Sequence, residues 1–234
     1  EYRRQRQMCI RDSGEVVLSS RKDGENEYLL RPSFAAMTRI GTPEEIVSAY
    51  AIIHGSDVQN LIAACASNLG GLPEWLSPQL YRMAEKVLSV SMQVIQACCD
   101  DDLTPMIGEW KGWSRYIVYR PGALSRNDII VIAQHLMTHG IIGKAKVRKL
   151  QRHETNSTTT AFNAIEYINA ARTHFEMTRE DAAHLTMTEF ALLLNAKYPD
   201  QKGLTREEYD AVMDDDERRW QEKMMREQQE RSMK

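Results

Sequence analysis

The sequence predicts a mostly α-helical protein of two helical units with a small β-hairpin near its N-terminus. The only β-favouring pair of runs covers residues 14–20 and 27–31, and Asp23-Gly24 between them is a strong hairpin turn signal. From Pro32 onward, apolar residues recur at the three- and four-residue spacing of helices. Helix-start signals of the capping-box type recur along the rest of the chain, which favours short helices joined by sharp turns.

The first half of the chain is predicted to hold several helices. Thr42-Pro43-Glu44-Glu45 combines an N-cap residue, a proline at the first helical position and a capping-box glutamate. A helix from Asp57 ends at Gly70-Gly71, and residues 73–99 supply one or two more, with an apolar face that is expected to be core. Residues 100–121 are expected to be irregular, with a short strand at 116–119 and tryptophans that fill the core.

The second half is predicted to form a separate unit. A helix begins at Ser125-Arg-Asn-Asp128 and ends at Gly140, and the polar residues 153–160 are the best candidate linker. The domains are therefore predicted as residues 14–152, a linker at 153–160 and a C-terminal helical unit at 161–234. Its last helix becomes polar and is expected to be an exposed arm.

Composition narrows the class of protein. The 234-residue chain is 42% hydrophobic and 27% charged, as in ordinary globular proteins, and its net charge of -3 gives it no general attraction for nucleic acid. Its apolar runs are far shorter than the roughly 20 residues that cross a bilayer. Four cysteines without a CxxC pair are expected to be reduced, and those outside the first residues to be buried.

Candidate chemical sites are few. His135 and His139 lie four residues apart on a predicted helix, like half of a metal site, but no companion ligands follow, so a surface or capping pair is expected. No nucleophile, phosphate-loop or metal motif is present, and the sequence predicts no enzyme, no cofactor and no metal. One basic patch could lie against phosphates as the second helix of a helix-turn-helix; it consists of Lys144, Lys146, Arg148, Lys149 and Arg152.

Several stretches resemble a family of tailed-phage proteins, the tail assembly chaperones and uncharacterised tail-region proteins of siphophages. The resemblance covers about residues 14–220 and is most specific in LTMTEFALLLNAKYP (185–199) followed by LTREEYDAVM (204–213). It implies a viral protein that acts in the host cytoplasm during assembly, and a non-enzymatic role. Such a chaperone binds the apolar helices of the tape-measure protein before the tail tube polymerises around it, and tube subunits would be a further partner.

The resemblance also suggests where a partner would bind. The chain has 12 methionines, and methionine suits adaptable binding surfaces. The candidate partner-binding residues are Met187, Phe190, Leu193, Leu194, Tyr198 and Trp220. The stripe from Phe190 to Tyr198 could equally pack inward against residues 161–175. Two alternative functions are a structural minor tail or tail-completion protein retained in the virion, and nucleic-acid binding through the basic patch.

The first thirteen residues are expected to be foreign to the family. Met8 to Ser13 reads MCIRDS, which the codons ATG TGT ATA AGA GAC AGN encode, and that string resembles the transposon end used as a sequencing-library adapter. The family resemblance begins only near Gly14. Residues 1–13 are therefore predicted to be translated adapter without packed structure, and the basic arm that they form is given no functional weight.

Overall fold

A computed structural model describes residues 8–19, 27–69, 73–113, 116–144, 160–198, 213 and 218–220. The fold is mostly α-helical with an antiparallel sheet near the N-terminus, as the sequence predicts. The chain divides into two compact units, Glu1–Ala196 and Lys197–Lys234. In the part that the structure describes, no helix combines the length and apolar character needed to cross a membrane.

The N-terminal sheet has three antiparallel strands in sequence order: β1 (Met8–Ile10), β2 (Val16–Ser19) and β3 (Glu27–Leu30). Strands β2 and β3 form the expected hairpin, with Val16 opposite Leu30, and both of these side chains are buried. The alternation along β2 places Val16 and Leu18 in the core, as expected for a strand with one covered face.

Strand β1 corrects the prediction that residues 1–13 lack packed structure. Cys9 pairs with Val17, and the turn that follows is closed by the Gly14 N–H, which donates to the Arg11 carbonyl at 3.0 Å. Without β1, this edge of β2 would present unpaired N–H and C=O groups. Backbone hydrogen bonds between β1 and β2 satisfy these groups and do not depend on the side-chain pattern. Strand β1 can therefore form where the sequence shows no periodicity.

The helices account for most of the remaining described chain. They are α1 (Phe34–Ile40), α2 (Pro43–Ile53), α3 (Ser56–Leu69), a 3-10 turn (Glu74–Leu76), α4 (Ser77–Ala97), α5 (Thr104–Ile107), α6 (Arg126–Met137) with a π-helical turn (Thr138–Ile142), α7 (Ala164–Phe175), α8 (Arg179–His184) and α9 (Met187–Lys197). The predicted capping boxes at Thr42 and Ser125 are both present. Thr186 and Glu189 form a third, at the start of α9.

Helix α1 lies at the centre of the core. Helix α4 packs against α1, α2 and α6, and α7 covers another side of α1. The Phe34 ring stacks on Tyr167 of α7 with 5.6 Å between centroids and meets the edge of Phe190 of α9 at 6.0 Å. Such offset and edge-on aromatic contacts are favourable beyond the area that they bury. Helices α7 and α9 therefore share one core with the N-terminal helices.

This shared core moves the boundary between units away from the predicted linker. The division falls after Ala196, whereas residues 153–159 lie outside the described residues. The polar composition of residues 153–160 has the character of a linker, but the helices that follow have apolar faces that must be covered. These helices bury their apolar faces against α1. In addition, Phe162 donates its N–H to the Pro43 carbonyl at 2.9 Å.

A second hairpin occupies the region predicted to be mostly irregular. Strands β4 (Glu109–Trp113) and β5 (Tyr116–Arg120) pair along their whole length, with Trp110 opposite Tyr119. Tyr119 is buried and donates its hydroxyl to the Ile107 carbonyl at 2.7 Å. Farther along, Ile117 is 74% exposed and Val118 beside it is also exposed, so this end of the hairpin has apolar side chains in solvent on both faces.

Candidate functional site

The C-terminal apolar stripe predicted to bind a partner is largely part of the core. Met187 is 6% exposed and Phe190 is 7% exposed. Phe190 contacts the Tyr167 ring at 5.8 Å and the Phe175 ring at 5.9 Å between centroids, both on α7. Leu194 is partly buried against the same core, and Leu193 is at the border of exposure. For Met187, Phe190 and Leu194 the inward packing that the sequence left open is the one observed, whereas Leu193 is exposed.

The other two predicted partner-binding residues belong to the second unit. Tyr198 and Trp220 are both exposed. The Lys197 ammonium lies 5.9 Å from the centre of the Tyr198 ring, within cation–π range. Most of this unit lies outside the described residues.

The predicted basic patch is described only at its first residue. Lys144 is exposed, and its backbone N–H donates to the Thr188 hydroxyl oxygen at 3.1 Å. The remaining members, Lys146, Arg148, Lys149 and Arg152, lie outside the described residues.

His139 is buried and His135 is half-buried, contrary to the expectation of a surface or capping pair. Their rings lie 4.4 Å apart between centroids, and His139 is 3% exposed. His139 Nδ1 lies 2.8 Å from the Thr188 hydroxyl, which already accepts the Lys144 N–H and so can donate its own proton to the neutral ring. Burial, with His135 and Lys144 nearby, lowers the pKa of His139 to about 4.

The histidine pair lies where a π-helical turn ends α6 and the N-terminal turn passes close by. A Cβ added to Gly14 would lie 2.4 Å from His139 Cβ, so only glycine fits there. Burial also lowers the pKa of His135. Four-residue spacing predicted that the two rings share a helix face, but no signal in the sequence indicated that the Gly14 turn and α9 would pack against His139.

An ion-pair network joins the N-terminal sheet to α9. The Arg31 guanidinium lies 3.3 Å from Glu15 and 3.1 Å from Glu189, and Glu15 also pairs with Arg11 at 3.0 Å. The Thr186 hydroxyl donates to the Ser13 carbonyl at 3.0 Å. This network and the histidine pair fix the start of α9 against the sheet, which is a structural role.

An open groove lies between α2 and α4. Its volume is about 220 Å³, and it is lined by Ile40, Glu45, Ser48, Ala49, Ile52, Val90 and Gln93. The side chains from α2 recur at three- and four-residue spacing, so one face of this helix forms one wall. At one end the Gln93 amide donates to the Ile40 carbonyl at 3.2 Å, which positions the polar rim beside the end of α1. The small Ala49 side chain lies in the lining.

Sequence reasoning missed this groove. It expected the apolar face of residues 73–99 to be core, whereas Val90 of α4 lines the groove beside α2. The signal that was available is the mixed face of α2, where Glu45 and Ser48 alternate with Ala49 and Ile52. A face of that kind is too polar for full burial and too apolar for full exposure.

Other reactive groups offer little for binding or chemistry. Among the described residues, no cluster of three or more histidine, cysteine, aspartate or glutamate side chains is placed to hold a metal ion. Cys65, Cys98 and Cys99 are free and buried, as expected. Burial raises the pKa of the Cys98 thiol to about 12, which keeps it protonated and unreactive.

Comparison with known proteins identifies a family. A search of curated proteins and a search of solved structures each found no match. Residues 30–211 match the model of a family of unknown function, DUF6246, and this match spans the core from β3 to beyond α9. The chain therefore belongs to the family of unknown function DUF6246.

Proposed function

We propose that this protein is a phage tail assembly chaperone, which binds apolar helical segments of the tape-measure protein before the tail tube polymerises. The resemblance of residues 185–213 to such chaperones is the starting point. The observation that carries the proposal is the groove between α2 and α4. It has an apolar floor of Ile40, Ala49 and Ile52 beneath a polar rim.

A groove of this shape suits a helix. In the helix-in-groove mode, an amphipathic helix places side chains spaced three and four residues apart into an apolar furrow between two helices. The volume of about 220 Å³ is below the 300 Å³ or more that is typical of small-molecule pockets. It can accept one or two apolar side chains of a partner while the rest of that partner lies on the rim.

Exposed apolar side chains elsewhere add to the proposal. Ile117 and Val118 on the second hairpin, and Trp75 and Tyr81 near the start of α4, are all exposed. Exposed apolar side chains of this size are available to contact a protein partner. A long tape-measure helix could extend beyond the groove onto such residues. The stripe around Phe190 offers less surface to a partner than the groove does, because its central residues are buried.

The test is capture of a siphophage tape-measure protein. The tagged full chain is co-expressed with that protein, and we expect the two to co-purify. Ser48→Tyr places a large side chain on the exposed rim of the groove and should abolish capture. Asn169→Tyr makes the same kind of change at an exposed position of α7 and should leave capture intact.

Two results would overturn the proposal. Failure of the wild-type chain to capture the tape-measure protein would remove the chaperone function. Stoichiometric presence of the chain in purified virions would instead favour the alternative, a structural minor tail or tail-completion protein. Nucleic-acid binding through Lys144 and the residues after it is a third function, and it would require retention on a DNA column at low salt.

A further inference from the structure

The two ends of the groove between α2 and α4 differ in charge. At the end near Ile40, α2 begins with Glu44 and Glu45, and both side chains are exposed. Glu45 lines the groove itself, and Glu44 lies one helical turn before Ser48, which also lines it. The Glu45 carboxylate accepts the Thr42 backbone N–H at 2.8 Å, a contact that keeps its charge in place.

Among the described residues, no basic side chain lies within ion-pair distance of Glu44 or Glu45. The nearest cation along the chain, Arg39, is bound to Asp100 at 2.6 Å. The carbonyl end of α1 points to the same region, since Ile40 accepts the Gln93 amide there, and helix C-termini carry partial negative charge.

A lysine lies beyond the lining of the groove on α4, about two helical turns from Gln93 and therefore away from the acidic end. Lys86 is exposed on α4 and lies one helical turn before Val90, on the face that continues through Val90 and Gln93. Ala49 and Ile52 separate the two ends with an apolar floor. The groove is therefore an apolar furrow with a negative end on α2 and a positive end on α4.

From this arrangement we infer that the groove binds an amphipathic helix whose apolar stripe is flanked by a basic residue at one end and an acidic residue at the other. The inference rests on the proposed function and names the kind of helical segment that the protein selects. The basic residue lies against Glu44 and Glu45, and the acidic residue lies against Lys86. Charge complementarity of this kind fixes the direction of the bound helix and disfavours helices of like charge.

Designed peptides test the inference on the full-length chain. Three labelled helical peptides share one apolar stripe and differ only in the residues at its two ends, which are Arg and Glu, Gln and Gln, or Glu and Glu. Binding is measured by fluorescence anisotropy at low and at high salt. An exposed ion pair changes an equilibrium by a factor of roughly 1.5 to 5. The Arg–Glu peptide should therefore bind about three- to tenfold more tightly than the Glu–Glu peptide.

Matched variants separate the charge effect from loss of the fold. The double change Glu44→Gln, Glu45→Gln keeps a capping-box side chain at the start of α2 and should remove most of the preference. Glu180→Gln changes an exposed carboxylate in the first turn of α8 by the same chemistry and should leave the preference unchanged. At about 1 M salt, where the Debye length is roughly 3 Å, the wild-type preference should shrink.

The outcomes are distinct. If all three peptides bind equally and the glutamate changes have no effect, the inference is wrong while the proposed function stands. If no peptide binds but the chain still captures the tape-measure protein, the groove is not the helix-binding site and the inference is likewise wrong. The predicted order of affinities, lost in the double variant and retained in Glu180→Gln, would support it.

Discussion

His139 should make the stability of this protein sensitive to mild acid. The ring is 3% exposed, its Nδ1 is engaged with the Thr188 hydroxyl, and both His135 and the Lys144 side chain contribute positive charge nearby when protonated. Protonating it places a charge in a covered site beside other cations. The perturbation is a decrease of pH from 7.5 to 5.

The magnitude follows from the pKa of His139, which falls from 6.5 to about 4 on folding. Because the unfolded chain binds a proton at higher pH than the folded chain, stability is fully present above pH 6.5. It decreases as the pH falls from 6.5 toward 4. One proton corresponds to about 1.4 kcal/mol per pH unit, so the loss should be about 2 kcal/mol by pH 5 and about 3 kcal/mol once pH 4 is reached.

The assay is urea unfolding followed by circular dichroism at half-unit steps of pH, with His139→Asn as the comparison. Asparagine offers an amide oxygen close to the position of Nδ1, so the Thr188 hydroxyl keeps an acceptor while the titrating group is removed. The wild-type free energy of unfolding should fall across this range more steeply than that of the variant. His184→Asn, at an exposed position of α8, should follow the wild-type curve.

Parallel pH curves for wild type and His139→Asn would refute this reasoning. They would mean that the imidazole titrates equally in the folded and unfolded chain, and hence that its site is hydrated. Carboxylates that titrate below pH 5 affect both proteins alike, so the difference between the two curves reports His139 together with its coupling to His135.

Three further predictions concern the packing around α9 and the N-terminal turn, all measured by thermal or urea unfolding at pH 7.5. Gly14→Ala should destabilise the fold more than Gly55→Ala. Both positions have positive φ, but only a Cβ at Gly14 would meet another side chain, at 2.4 Å. Equal losses of stability in the two variants would contradict this contact. Phe190→Ala should lower the free energy of unfolding by about 3–5 kcal/mol. Leu192→Ala, at a side chain that is 52% exposed, should change it by about 0.5 kcal/mol or less. Similar losses in the two variants would place Phe190 outside the core. Arg31→Met should lower the free energy of unfolding by about 1–3 kcal/mol, because its two carboxylate partners lose charged hydrogen bonds. An unchanged unfolding midpoint would show that the ion-pair network does not stabilise the fold.

The sequence predicted local features well because local features depend on nearby residues. The helix starts predicted at Thr42 and Ser125 each need a hydroxyl and a carboxylate three residues apart, and both form capping boxes; Thr186 and Glu189 form another. The turn at Asp23-Gly24 predicted that β2 and β3 pair, and they do. Helical periodicity identified α2, α4 and α6 in the same way.

Features that depend on long-range packing were predicted less well. The stripe from Met187 to Leu194 has the spacing of either a core face or a binding face, and only the position of α1 and α7 decides between them. The histidine pair shows the same limitation, since its burial depends on the Gly14 turn and on Thr188, which are remote in sequence. The polar residues 153–160 have linker composition, but composition does not say which surfaces the next helices cover.

The sequence by itself determined the helical class, the N-terminal hairpin and the positions where helices begin, because backbone conformation responds to residues within one turn. Only the tertiary structure decided that α7 and α9 join the first core, that His139 is buried with His135 half-buried beside it, and that α2 and α4 leave a groove between them. These outcomes depend on which apolar faces meet, and many pairings of faces satisfy the same periodicity. The geometry of packing selects one of them, and the charged ends of the groove are a consequence of that selection.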